Sequence, residues 1–91
     1  MVWQFAEKEL IDSRDRFENG SYSAAAQFLQ NSNADLEESP YNFGKIGDEY
    51  AEKCDEFKQV VENGHPPDEE KLERLLDRLE RLMKEMKDRV E

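Results

Sequence analysis

The residues of this chain that could do chemistry are almost all carboxylates, since 23 Asp and Glu stand beside one His and one Cys. Hydrolysis by a side-chain nucleophile needs that nucleophile, a base beside it and an acid that orients the base. His65 lies in a Gly-His-Pro-Pro run, which predicts a solvent-facing loop. Nothing in the sequence groups it with a nucleophile. We therefore expect a protein that is not an enzyme.

Metal and cofactor binding are equally poorly supported by the residue types. One His and one Cys cannot form the usual structural zinc sets. The sequence has no Asp-rich calcium loop and no glycine-rich phosphate loop. Cys54 stands between Tyr50 and Phe57 on an apolar stripe, where a free cysteine is typically a small core residue, with a reactive thiol or a metal ligand as the alternatives. The sequence predicts no cofactor.

One cluster of carboxylates is dense enough to suggest a binding surface. Its members share the outer face of the predicted third helix, and they are Asp48, Glu49, Glu52, Asp55 and Glu56. Like charges one helical turn apart cost a few tenths of a kcal/mol unless a partner relieves them. The cluster is a docking face for a basic protein, a set of carboxylates that mimics the charge of phosphates, or simply a solvated face.

The net charge of −10 is unevenly distributed along the chain. Residues 1–67 hold 14 acids and 6 bases (net −8), whereas residues 68–91 hold 9 and 7 (net −2). Repulsion from phosphate makes direct nucleic-acid binding by residues 1–67 unfavourable. An acidic surface suits a basic partner protein, or serves solubility alone.

Nothing in the sequence indicates export or a membrane. A single cysteine excludes an intrachain disulfide. The first residues lack the basic and apolar regions of a signal peptide, and no apolar run approaches the roughly 20 residues that span a bilayer. We expect a soluble cytoplasmic protein without membrane contact.

The elements that position these residues are predicted to be four helices. Glu-Asn-Gly occurs at residues 18–20 and again at 62–64, and each copy closes a stretch with helical apolar spacing. Glycine ends helices because it adopts the left-handed conformation without steric cost. Ser39-Pro40 separates the two halves. The prediction is an all-α four-helix bundle built from two αα-hairpins, mostly antiparallel, in one domain spanning 1–91, with helices near 2–18, 21–38, 42–63 and 67–90.

The first, second and last helices each have one feature that bears on how they pack. The apolar face of the first helix includes Trp3 and Leu10 and is widened by Val2, Phe5 and Ile11. In the second, the polar run 30–33 predicts a bend or fraying, because such side chains compete for backbone hydrogen bonds. The last helix has the most regular pattern, with three apolar positions in seven. Its spare width allows self-association, so a homodimer is possible.

The run from Arg16 to Ala25 resembles the hairpin corner of tetratricopeptide-type repeats and is similar to the first hairpin of HEPN domains. In both families a helix ends at Gly and a Tyr-x-x-Ala helix follows. The two corners here lie 44 residues apart (Glu18 to Glu62), not the roughly 34 of tetratricopeptide arrays. No arginine lies four to six residues before His65, as the HEPN nuclease signature requires. The resemblance therefore implies the hairpin and neither family's activity.

Two functions are consistent with these features. The first is a small acidic protein–protein interaction module whose partner has a basic surface, and which can form a homodimer through its last helix. The alternative is an acidic inhibitor, antitoxin or immunity-type protein that blocks a basic nucleic-acid-binding site on its target.

Overall fold

Four helices account for most of the chain. The computed structural model describes the backbone of residues 2–90 and the side chains of residues 4–90. The helices are α1 (Val2–Glu18), α2 (Tyr22–Glu38), α3 (Lys45–Asn63) and α4 (Glu69–Val90), and residues 2–90 contain no strand. This confirms the predicted all-α fold.

Contacts between consecutive helices define an antiparallel bundle. The α1–α2 interface is the most extensive, α2 packs on α3 and α3 on α4, and α4 returns to α1 through the smallest interface. Between α1 and α2, Ala6 bonds Ser32 and Ser13 bonds Ala25, so residue numbers rise along one helix as they fall along the other. The same holds between α1 and α4, where Glu7 contacts Lys87 and Arg14 contacts Asp77. The bundle is therefore two hairpins closed side by side, with a thin seam between the first helix and the last.

The two Glu-Asn-Gly corners differ in conformation. Gly20 has φ = 81°, the left-handed conformation that the sequence predicts. Gly64 is extended instead, with φ = −100° and ψ = 138°, so that part of the prediction is wrong. Glycine fits there for another reason, since a Cβ on Gly64 would lie 2.8 Å from the Cα of Pro67. Ser21 occupies the N-cap position of α2, but its hydroxyl makes no capping hydrogen bond.

Two helices begin later than predicted, α3 after a turn closed by a side-chain hydrogen bond and α4 after a side-chain cap. Gly44, with φ = 59°, precedes α3, and its N–H donates to Asn42 Oδ1 at 2.9 Å. Asp68 Oδ1 accepts the N–H of Lys71 at 3.2 Å and caps α4. Pro67 therefore stands outside the helix that it was expected to open.

The core contains most of the predicted apolar stripes, including a fully buried Cys54 as expected. The prediction is wrong for two residues of the first helix, since Phe5 and Ile11 are 59% and 57% exposed and lie outside the core. The side chains of Val2 and Trp3 lie outside the described residues. Tyr41 and the buried Phe43 pack 6.0 Å apart, and Phe43 anchors the connection between the hairpins in the core.

The predicted weak point of α2 is a structural contact instead. The helix runs unbroken to Glu38, and Ser32 is fully buried in the polar run. Its hydroxyl donates to the carbonyl of Ala6 at 2.8 Å and lies 2.6 Å from the Tyr50 hydroxyl. Since Ser32 has one hydrogen to give, Tyr50 donates to Ser32. This bond chain ties α1, α2 and α3 together.

Candidate interaction surface

The five carboxylates predicted from the sequence share one face of α3. Tyr50, Cys54 and Phe57 point into the core, which turns the acidic positions away from it. Three of the five are exposed and two are half-buried: Asp48, Glu52 and Asp55 in the first group, Glu49 and Glu56 in the second. The structure thus brings all five together on the outside of the bundle.

Two of the five are engaged by bases of the same chain. Glu49 accepts two hydrogen bonds from Arg78 of α4, at 2.5 and 2.8 Å, and these bonds hold the pKa of Glu49 below its ordinary value. Glu56 lies 3.8 Å from Lys53 on its own helix. Glu49 is therefore a link between α3 and α4, and it is less available to an external partner.

The other three carboxylates form a stripe without a nearby cation. Asp48, Glu52 and Asp55 are exposed, and within residues 2–90 none has a Lys, Arg or His nitrogen within 4.0 Å. Asp55 accepts one neutral hydrogen bond, from the amide of Gln30 at 3.3 Å. At 1.5 Å rise per residue, the stripe is about 10 Å long. We call these three residues the α3 stripe.

The neighbouring helix extends the negative charge of this side. α2 has three acids, Asp35, Glu37 and Glu38, and no Lys or Arg between Tyr22 and Glu38. α3 contains six acids and three bases, so the two helices together carry −6. α4 contains seven acids and seven bases. The α2–α3 side of the bundle is therefore the acidic one, and the α4 side is balanced.

Cys54 and His65 occupy the positions expected of them. Burial raises the pKa of the Cys54 thiol well above its ordinary value, so the side chain stays protonated and unreactive. His65 is exposed in the turn before α4. Among residues 2–90, no three His, Cys, Asp or Glu side chains are grouped so that they could hold a metal ion.

Two charged residues that the sequence did not single out have important positions. Glu9 has one oxygen, Oε2, shielded from solvent, and burial followed by the adjacent carboxyl of Asp35 raises the pKa of Glu9 to about 7. Arg14 of α1 crosses to α4 and contacts Asp77 at 2.6 Å and Glu80 at 3.0 Å. Both depend on which helices become neighbours, so no local pattern in the sequence could reveal them.

Comparison with protein-family models, with curated proteins and with solved structures finds no match to this chain. The helices between Val2 and Val90 are all too short or too polar to cross a membrane. The chemistry of the surfaces is therefore the basis on which we infer a function.

Proposed function

We propose that this protein is a small acidic, non-enzymatic interaction module that binds a basic segment of another protein through the α3 stripe. The single observation that supports this most directly is that Asp48, Glu52 and Asp55 have no cation within 4.0 Å in the described chain, whereas Glu49 beside them does. Self-association through α4 and a cytoplasmic location belong to the same proposal.

Repulsion between carboxylates of the α3 stripe is unrelieved in the free protein and favours binding of a basic partner. Asp48 and Glu52 stand one turn apart, and such pairs cost a few tenths of a kcal/mol in the free protein. A Lys or Arg side chain from a partner relieves that repulsion and forms charge-assisted hydrogen bonds. The negative field of α2 and α3 also speeds encounter with a basic surface, more strongly at low salt.

A second candidate function uses the same stripe. An acidic inhibitor, antitoxin or immunity-type protein would place these carboxylates in the basic nucleic-acid-binding site of its target. The absence of bases on α2 supports this alternative, because that helix adds charge of the same sign as phosphate. The two functions separate on one measurement: the inhibitor competes with nucleic acid for its target, and the general module does not.

The experiment compares two charge-reversal variants in affinity capture from the native host. One changes the α3 stripe (Asp48→Lys, Glu52→Lys, Asp55→Lys). The control changes three exposed acids outside α2 and α3 (Glu18→Lys, Glu70→Lys, Glu73→Lys) and so alters the net charge equally. Proteins recovered by the wild type and the control, but not by the stripe variant, are the expected partners.

Titration of a recovered partner then gives the size of the effect. We expect the stripe variant to bind about 100-fold more weakly than the control, and the wild type to lose affinity as salt rises from about 50 to 300 mM. Equal binding by the stripe variant and the wild type would contradict the proposal. Equal weakening of both variants would reduce it to a general effect of net charge.

A further inference from the structure

An apolar groove lies along the seam between α1 and α4. It has a volume of about 390 Å³, and the buried side chains of Leu10 and Met83 contribute to its lining. Ile11 also lines it and is 57% exposed. The groove exists because α1 and α4 form the thinnest of the four helix interfaces. An exposed isoleucine beside buried apolar side chains is a surface that water solvates poorly.

Two ion pairs bracket the groove and fix its position along the helices. Glu7 contacts Lys87 at 3.3 Å on one side of Ile11, and Arg14 contacts Glu80 at 3.0 Å on the other. Ile11 therefore lies midway between two fixed links. It is held in place by the fold and does not sit on a mobile terminus.

The exposed charges beside the groove are arranged in a self-complementary order. Along the outward face of α4 the sequence is Arg81, Lys84, Glu85 and Asp88, two bases followed by two acids. All four are exposed, and within residues 2–90 none has an ion-pair partner within 4.0 Å. When two such helices lie antiparallel about a two-fold axis between positions 84 and 85, every base faces an acid.

We propose that a second copy of this chain docks across the α1–α4 groove, with the two α4 helices antiparallel. Lys84 of each copy then pairs with Glu85 of the other, Arg81 pairs with Asp88, and the Ile11 side chains become buried. This deepens the self-association that is part of the proposed function by naming its surface and geometry.

Charge makes a second copy the occupant that fits this face. Each copy carries −10, so most approaches between two copies are repulsive. α4 is the exception, because its seven acids and seven bases cancel. A C2 contact is also the commonest way in which a soluble protein forms an oligomer, and it requires a surface that complements itself.

The test is a charge exchange between two variants of the full chain, measured by sedimentation equilibrium. Lys84→Glu alone and Glu85→Lys alone each place like charges opposite one another twice per dimer. We expect the Kd of self-association to rise about tenfold or more in each variant, and to return to within about threefold of the wild type when the two are mixed. No repulsive pair remains in the mixed dimer.

A pair of apolar substitutions tests the groove independently. Ile11→Gln should weaken self-association about tenfold or more without unfolding the chain, since Ile11 is already largely exposed in the monomer. Phe5→Gln is the matched control, because Phe5 is equally exposed but lies about 120° away around α1. A wild type that stays monomeric up to about 1 mM would overturn the proposal. So would a dimer that is indifferent to Ile11→Gln, or one that the mixed charge variants fail to restore.

These outcomes are separate from those of the α3 stripe. The dimer variants leave Asp48, Glu52 and Asp55 unchanged, and the stripe variant leaves α1 and α4 unchanged. A monomer that still captures a basic partner would overturn self-association and leave the binding role of the α3 stripe in place. A dimer without a partner would count against the proposed function alone.

Discussion

At the scale of single residues, two buried serine hydroxyls bind the first two helices to each other. Ser13 and Ser32 are fully buried on α1 and α2, and each donates to a backbone carbonyl of the facing helix, Ser13 to Ala25 and Ser32 to Ala6. The helical spacing of apolar residues predicts that they are buried. A serine in a polar run gives the same local signal whether it is solvated or bonded across an interface, so its role becomes visible only with its partners.

Glu9 is the residue whose charge should depend on pH near neutrality. It faces Asp35 of α2, Asp12 and Lys8 of its own helix and, farther away, Tyr50 of α3. Its pKa rises from 4.5 to about 7 on folding, so between these values the folded state holds a proton that the unfolded chain has released. This contribution to stability is complete below pH 4.5 and is lost as the pH rises through 7.

We expect Glu9→Gln to remove this pH dependence. The variant should match the wild type near pH 5 and exceed its free energy of unfolding by about 1–2 kcal/mol near pH 8, a value reduced from the full shift because the side chain is partly solvated. Urea unfolding followed by circular dichroism at several pH values measures it. Glu18→Gln, at the exposed end of α1, controls for the loss of one charge. A constant difference between Glu9→Gln and wild type across pH 5–8 would falsify the assignment.

At the scale of elements, apolar spacing predicted the four helices well and their ends less well. The stripes of α3 and α4 extend over many residues, so each helix is specified several times over. An end depends on one or two side chains. Asp68 caps α4 and leaves Pro67 outside the helix, and Asn42 bonds Gly44 in a turn where the sequence predicted the start of a helix. Such local choices are nearly equal in energy until tertiary packing selects one.

Alanine should change the free energy of unfolding in opposite directions at Gly47, within α3, and at Gly64, just after its last residue. At Gly64 a Cβ would meet backbone atoms of Pro67, Val60 and Pro66 at 2.8, 3.1 and 3.2 Å, and backbone cannot move aside cheaply. Gly64→Ala is expected to lower the free energy of unfolding by about 1–3 kcal/mol. At Gly47 the nearest atom is Phe43 Cβ at 3.5 Å, an ordinary contact. Gly47→Ala should raise stability by about 0.5–1 kcal/mol, because alanine favours the helix.

Urea unfolding of both variants beside the wild type provides the measurement. Each is the other's control, since the chemical change is identical and only the surroundings differ. If Gly64→Ala proved neutral, the close approach of Pro67 would not be what selects glycine at that corner.

At the scale of the whole molecule, local sequence patterns predict the two hairpins, but which side chains are exposed or paired depends on how the four helices pack. The sequence identified the acidic face of α3, because helical spacing alone places its five members together. It did not separate Glu49, which Arg78 engages, from Asp48, Glu52 and Asp55, because that distinction depends on how α4 lies against α3. The groove beside Ile11 was hidden for the same reason. A pattern predicted Ile11 to be core, and only the thin α1–α4 seam leaves it exposed.

The seam also identifies the side chain on which closure of the bundle depends most. Apolar packing between α1 and α4 is limited, and Arg14 spans the gap with contacts to both Asp77 and Glu80. The Arg14 side chain is 18% exposed, while those of its partners are 55% and 43% exposed. Its loss therefore leaves two carboxylates close together that can partly recover by hydration.

We expect Arg14→Gln to lower the free energy of unfolding by about 1–3 kcal/mol and to raise amide exchange most in α1, the helix it holds to α4. Arg16→Gln is the matched control on the same helix, since Arg16 is exposed and stands 5.4 Å from the Phe28 ring centroid, a contact with a contribution of about 0.5–1 kcal/mol.

Because Asp77 and Glu80 are partly solvated, salt screens both their attraction to Arg14 and their mutual repulsion without it. The difference between Arg14→Gln and wild type should therefore shrink as NaCl rises from about 20 to 500 mM. A difference that stays constant with salt would mean that Arg14 contributes through the packing of its aliphatic stem. If the two arginine variants lowered stability equally, closure of the α1–α4 seam would not depend on Arg14 in particular.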